Sequence, residues 1–512
     1  MEERRKIFYL LAFWLLFGSC AKQDKTRLGP EITVGIEASP SSLDPRLARD
    51  AYAIQIMPLV FPGLFRIGAD LEPEPDLADF FEQTDALTFV FHLRQGMKFS
   101  NGQELTSEDV KATLESLNAP GLNSPYLELA ERIRKIEVLD RASLRLELKE
   151  PYAPLLVELN LGIIPAEQAR KSGLRPEELS GAGAYRILRW VPGTELVLTR
   201  NEFHSGSKPY FERIVFRIIP EDLNRLMSLE KGEIQLLQSP IPVDELGRLK
   251  RHAGLAVKER PGLNYSYMGF NLRDPILSKR QVREAIAHAL NRDELIHCLL
   301  KDSAVKVDTL LSPRHWAYEP LVKSYDYDPV LARKLLDEAG YPDPDGDGPG
   351  HRFKLSYKTS QNVQRLWIAQ AIARELDAVG IEVEVRSLEW GTLFSDIQAG
   401  NFQIYTMSWV GVVEPDIFYT IFHSQSLPPQ GANRGFYANP EIDALVAAGR
   451  MTQDRGARRI IYSRVQKILS EDLPYVSLWN SLDITVSDKR LLGFELGPAG
   501  EWSTLQEARW GL

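Results

Sequence analysis

Between residues 353 and 408 the hydrophobic pattern alternates between the strand repeat and the helix repeat, and this alternation constrains the fold more than any other feature of the chain. Phe353, Leu355 and Tyr357 recur at every second position, the period of a half-buried strand. Leu366, Ala369, Ala373 and Leu376 follow at helical spacing. Gly380 then stands where a helix end wants a left-handed residue. Ile381, Val383 and Val385 alternate with Glu382, Glu384 and Arg386, a second helix is expected over about 392–399 ending at Gly400, and a third strand over 402–408. Connections this short between three strands predict a parallel sheet with right-handed crossovers, hence an α/β fold. Ligands of such sheets bind beyond the carboxyl ends of the strands. The segment Trp409-Val410-Gly411-Val412-Val413-Glu414-Pro415-Asp416 occupies that place. Trp409 is expected to wall a pocket there, while Phe418 and Tyr419 are expected to pack.

The rest of the chain adds elements of the same kinds. Residues 32–36 read as a strand, and 88–93 alternate with Phe89, Phe91 and Leu93 on one face. Asn101-Gly102 marks a tight turn. Thr106, followed by Ser107, Glu108 and Asp109, marks a helix start. Helices are expected over 281–300 and 456–473, the second ended by Pro474. A chain of 512 residues suggests two to four domains at roughly 150 residues each. Its 61 basic and 70 acidic side chains argue against nonspecific nucleic-acid binding, which needs a basic face.

Catalytic signatures are missing: no His-Glu-x-x-His, Gly-x-Ser-x-Gly, P-loop or dinucleotide fingerprint occurs. The eight histidines are scattered, with no pair at the helical spacing of a metal site. Neither catalysis nor a cofactor is therefore expected. Asp343, Asp345 and Asp347 before Gly348 match half of a calcium loop, but Lys354 stands where the closing Glu belongs. A rigid acidic turn and a partial calcium site both fit those residues.

At the N-terminus, Arg4, Arg5 and Lys6 precede an apolar run from Ile7 to Phe17 and then Gly18, Ser19 and Cys20. A basic head, an apolar centre and small residues describe an export signal, and the run falls short of the about 20 residues of a membrane span. Glu2 and Glu3 dilute the head, and Phe17 stands where Leu is usual. The ending resembles the lipobox of bacterial lipoproteins, which implies a lipid on Cys20 and a short tether over 21–29. A plain secretory signal with an incidental cysteine is the alternative. Ala21 after Cys20 leaves both inner and outer membrane open. Cys298, in a run that reads as helix interior, is then without a disulfide partner and expected to be buried.

The strongest run of motifs is Leu87-Thr88-Phe89-Val90-Phe91-His92-Leu93-Arg94-Gln95-Gly96-Met97-Lys98-Phe99, continued by Asn101-Gly102 and Leu105-Thr106-Ser107-Glu108-Asp109-Val110. Around it stand Ser42-Leu43-Asp44-Pro45, Gly181-Ala182-Gly183-Ala184-Tyr185, Arg200-Asn201, Phe270-Asn271, Val282-Arg283-Glu284-Ala285-Ile286, Asn291-Arg292, and Asn433 with Tyr437-Ala438-Asn439-Pro440. In this order they resemble the bacterial extracellular solute-binding proteins of family 5, the oligopeptide-, dipeptide- and nickel-binding proteins that feed ABC importers. The resemblance runs from about residue 32 to the C-terminus.

It implies a type II periplasmic-binding-protein fold, a Venus flytrap of two α/β lobes with an additional inserted domain. Lobe I would comprise 30–69, 180–264 and 482–512, the inserted domain 70–179, and lobe II 265–481. The implied function is a periplasmic or envelope-anchored receptor, a monomer that hands a peptide or other small polar solute to a permease and its ATPase. Nickel chelates, sugars and opine-like compounds are carried by relatives as well. The implied ligand set is Trp409, Gly411, Glu414, Asp416, Asn271, Asn433 and Ser42. Free-peptide binders place an Asp three residues after the pocket Trp, to pair with the peptide ammonium. Val412 holds that position here, so Glu414 or Asp416 is expected to substitute. An envelope lipoprotein that couples to a sensor or serves structure, keeping the fold without transport, is the competing class.

Overall fold

The computed structural model describes residues 29–48, 50–238, 240–346 and 348–511. The expected export signal, Cys20, tether residues 21–28 and Asp347 lie outside the described residues. The strand–helix–strand–helix–strand unit is present. Phe353–Ser360 is flanked in parallel by Ile381–Leu388 on one side and Ile404–Trp409 on the other. The connecting helices are Val363–Asp377 and Trp390–Gln398. Gly380 and Gly400 take the left-handed φ of +85° and +77° that ends each helix without a Cβ penalty.

Two details of that unit differ from the sequence pattern. The first helix buries Ile368, Ala369, Ile372 and Leu376, a stripe rotated away from Leu366 and Ala373. Branched Ile368 and Ile372 supply the bulk that fills the sheet face. The third strand extends through Trp409, which therefore ends the strand rather than following it.

Among the described residues the largest sheet has eleven strands, and two long strands carry it across. Leu255–Phe270 and Tyr475–Asp488 pair antiparallel, with a register shift between Pro261 and Tyr265. Pro lacks a ladder donor and Gly262 lacks a side chain, so the break falls where pairing is weakest. On one side of the break, 485–487 also pair with Leu236–Gln238. That strand lies beside Glu31–Ile36, which pairs in parallel with Arg213–Ile218. On the other side, Tyr265 to Phe270 pair with Trp409 to Ile404.

A separate four-stranded antiparallel sheet has the order Ala78–Gln83, Thr88–Leu93, Ser143–Leu148, Ile133–Asp140. Phe89, Phe91 and Leu93 are buried in its core as their spacing predicts. Helix Ser107–Ser116 covers it. The Asp109 carboxylate accepts from the Thr106 backbone N–H at 2.8 Å and, with its other oxygen, from Ala166 N–H at 2.7 Å. The Thr-x-x-Asp spacing thus caps a helix and pins a distant loop at once. Asp44 does similar work through Arg46, which is buried and also reaches the Ala169 carbonyl at 2.7 Å. Gly181 and Gly183 sit so close to residues 59–60 that a Cβ on either would collide with backbone carbonyl oxygens of Val60 or Leu59.

The expected helix over 281–300 is two helices, Arg280–Ala289 and Arg292–Leu300. Asn291 breaks it because its side chain accepts the Glu294 N–H at 3.2 Å and starts the second helix. Cys298 is exposed, not buried. The second helix turns Leu295, Ile296 and Leu300 inward, and position 298 falls on its opposite face. The other long helix spans Arg455–Asp472.

Candidate functional site

The carboxyl ends of the three parallel strands meet the starts of helices Val363–Asp377 and Trp390–Gln398. A ladder of rings and guanidinium groups lines this edge. Arg365 lies over the Trp390 ring at 5.7 Å, Trp390 stacks on Phe394 at 6.0 Å, and Arg434 lies over Phe394 at 5.3 Å and over Trp409 at 4.7 Å. Trp409 stacks on Tyr267 at 6.2 Å, and Tyr267 on Tyr475 at 4.1 Å. Strand alternation explains the grouping. Tyr405, Met407 and Trp409 share one face, opposite the next strand's Tyr265 and Tyr267.

The loop after Trp409 is tied to the register break in the long strands. Gly411 N–H donates to Asn264 Oδ1 at 3.0 Å and Val412 N–H to the Leu263 carbonyl at 3.2 Å. Gly411 has a φ of +64°, a value that favours glycine at this bend. His315 braces the next residue. Its Nδ1 accepts Ala317 N–H at 3.0 Å, so Nε2 carries the proton and donates to the Val413 carbonyl at 3.1 Å. Burial pushes the imidazole down to about 4, which keeps it neutral in that role.

The two acids expected to replace the missing amine anchor are already paired. Glu414 bonds the Arg458 guanidinium. Burial pushes its carboxyl up against the pull of that guanidinium. Asp416 takes Arg450 in a fork, with contacts of 2.9, 3.0 and 2.6 Å. Val412 is 3% exposed and belongs to the apolar cluster beneath the loop. The remaining expected ligand residues bond neighbouring backbone. Asn271 donates to the Gly400 and Phe402 carbonyls at 3.1 and 2.9 Å. Asn433 donates to His423 and Tyr437 carbonyls and accepts Tyr437 N–H at 2.9 Å. Ser42 Oγ accepts Asp44 N–H at 3.1 Å.

Thus Gly411, Glu414 and Asp416 share the loop that follows Trp409, Asn433 adjoins Arg434, which lies over the Trp409 ring, and Asn271 and Ser42 lie in other local structures. Arg434 and Arg450 were not legible as functional residues. Arg434 adjoins Asn433 in the sequence, but nothing local shows that it lies over Trp409. Asp343 bonds Asp345 N–H and lies 3.6 Å from Arg352. Among the described residues, no cluster of three metal-ligating side chains occurs.

Across the molecule, the four-stranded unit touches the loop's surroundings. Ala153 N–H donates to the Arg450 carbonyl at 2.8 Å, and Arg450 lies 3.5 Å from Glu128. Arg455 reaches Glu72 at 3.0 Å and Asp70 at 3.8 Å. Ile67, Leu71 and Leu263 form a small apolar seam with Val157, Val413 and Ala499.

The family "Bacterial extracellular solute-binding proteins, family 5 Middle" matches residues 72–427. The dipeptide-binding protein of Escherichia coli K12 is 27% identical over 497 residues, covering 91% of this chain and 92% of its own. The periplasmic binding protein DppA of Helicobacter pylori, solved with the peptide STSA, superposes with a TM-score of 0.78 at 26% identity, over 95% of this chain and 99% of its own. NikA of Brucella suis, solved with Fe(III)-EDTA, gives a TM-score of 0.82 at 25% identity, over 94% and 100%.

Proposed function

The chain belongs to the bacterial extracellular solute-binding proteins of family 5, and on that premise we propose that it captures a peptide or another small polar solute between two lobes and delivers it to an ABC permease. Its fold is the type II periplasmic-binding-protein fold, two α/β lobes with an inserted domain. The family is one of solute receptors rather than enzymes. The observation that carries the reading is Trp409. It ends a strand at the carboxyl edge of a parallel sheet, it is only half-buried, and the loop after it is bonded to the register break in the two long strands. Relatives named for dipeptide binding, for a bound peptide and for a bound iron chelate support a small solute as cargo.

In this reading Trp409 and Gly411 face the solute. Glu414 and Asp416 shape the loop through their arginines, while Asn271, Asn433 and Ser42 hold the segments around it. The receptor works in the periplasm or at the envelope surface, as a monomer held by a lipid on Cys20. Among the described residues no helix is long and apolar enough to cross a membrane.

Thermal unfolding against pools of short peptides, sugars and metal chelates tests the reading. A ligand at 100 times its Kd should add about 2.7 kcal/mol. Trp409→Ala should keep the melting temperature of the unliganded protein within a few degrees and abolish most of that stabilisation. Normal binding by the variant would overturn the placement of the site.

A further inference from the structure

We propose that Arg434 anchors a carboxylate of the bound solute, and that the cleft takes acidic ligands with no requirement for a free ammonium group. The proposal rests on the solute-binding reading above and narrows it to a substrate class.

Arg434 is 7% exposed, and it differs from every other buried arginine among the described residues. Arg46 bonds Asp44 and the Ala169 carbonyl. Arg225 bonds the Ile219 and Pro220 carbonyls, and Arg283 those of Leu277 and Leu473. Arg292 bonds the Val307 and Tyr325 carbonyls, and Arg458 bonds Glu414 and the Gly449 carbonyl. Among the described residues, the Arg434 side chain bonds neither a carboxylate nor a carbonyl. Its polar contacts are the Tyr267 hydroxyl at 3.5 Å and Met407 Sδ at 4.0 Å, both at the limit of a hydrogen bond. Its Nε has no partner.

A guanidinium is always charged and carries five donors in a planar fork that matches a carboxylate. Burying one without a counter-charge is strongly unfavourable. The faces of Trp409 and Phe394 offset only part of that cost. Beside it, Trp409 Nε1 is a second buried donor without a partner among the described residues. The group therefore presents N–H donors and no acceptor charge, the chemistry that receives an anion.

Among the described residues, the loop beside this wall holds no carboxylate free to pair with a cation. Val412 stands in the amine-anchor position, and Arg458 and Arg450 occupy Glu414 and Asp416. An acid bound at Arg434 leaves no unmet charge, whereas an ammonium at Val412 would.

The carboxylate could come from a peptide C-terminus or from an acidic side chain. Isothermal titration of the mature protein with five tripeptide pools separates these sources. Four pools contain only neutral side chains and are free, N-acetylated, C-amidated or blocked at both ends. The fifth is blocked at both ends and contains one Glu. The proposal expects the free and N-acetylated pools to bind within threefold of each other. It expects the neutral doubly blocked pool to bind at least tenfold more weakly. Tight binding of the Glu pool alone would assign the carboxylate to a side chain and still support the proposal. Arg434→Gln should cost the acidic pools at least tenfold, with Arg434→Lys restoring part of the loss. If neither variant folds, the wild-type comparison of pools decides.

Equal binding of amidated and acidic pools, or a folded Arg434→Gln protein with unchanged affinity for the acidic pools, would overturn the proposal and leave the solute-binding reading standing. Binding of none of the five pools would overturn the proposal. If the wider screen of sugars and chelates also failed, the solute-binding reading would fall with it.

Discussion

Asp416 shows what one carboxylate does when its partner lies far along the chain. Both of its oxygens grip Arg450, whose guanidinium also lies over the Tyr419 ring at 3.6 Å. Burial works to lower the affinity of that arginine for its proton, and the Asp416 bonds outweigh it and raise the affinity above the usual range. Removing one partner of a buried pair typically costs about 3–5 kcal/mol, because the other charge is left buried. Asp416→Asn should therefore lower unfolding stability in urea by about 3 kcal/mol while leaving solute affinity within a few-fold. Lost affinity with stability unchanged would mean that the carboxylate serves the ligand instead. The acid itself is plain in the sequence, and so is its nearness to Trp409. Arg450, 34 residues later, carries no local mark of the pairing, so the role of Asp416 was open until the helices were packed.

At the scale of elements, local periodicity and tertiary packing divide the account. The parallel unit was legible because each of its elements carries its own repeat and each of its helices ends at a glycine. Leu255–Phe270 was not legible as one strand. Its Pro261-Gly262 step reads as a turn, and only pairing with Tyr475–Asp488 keeps the backbone extended through it. The expected 281–300 helix failed for the opposite reason. Its apolar pattern continues across residues 290–291, but Asn291 offers the backbone a cap that interrupts it. Asn291→Ala should remove that cap and cost about 1 kcal/mol, measured by chemical denaturation. A loss near zero would show that packing alone sets the break.

For the whole molecule, the seam between the segments around the four-stranded sheet and the surroundings of the Trp409 loop is both charged and apolar. Glu158 lies near it, accepting the Tyr152 hydroxyl. Burial, with Glu128 and Asp416 adding repulsion, pushes its carboxyl up to about 7. The folded state then holds a proton that the unfolded chain releases near pH 4.5. That contribution is complete below pH 4.5 and is lost as pH rises through 7. Glu375, also raised to about 7 by burial, acts with the same sign. Stability should fall between pH 5 and 8 by about 2 kcal/mol for Glu158 alone, and Glu158→Gln should remove about half of the combined decline in melting temperature. An identical pH profile in the variant would contradict this. The crossing strands impose a further condition on the molecule. One end of the pair bonds Leu236–Gln238 and the other bonds Ile404–Trp409, so the two long strands join both sides of the large sheet. Both strands are interior to that sheet, so a nick in either would break the ladder that ties its two sides together.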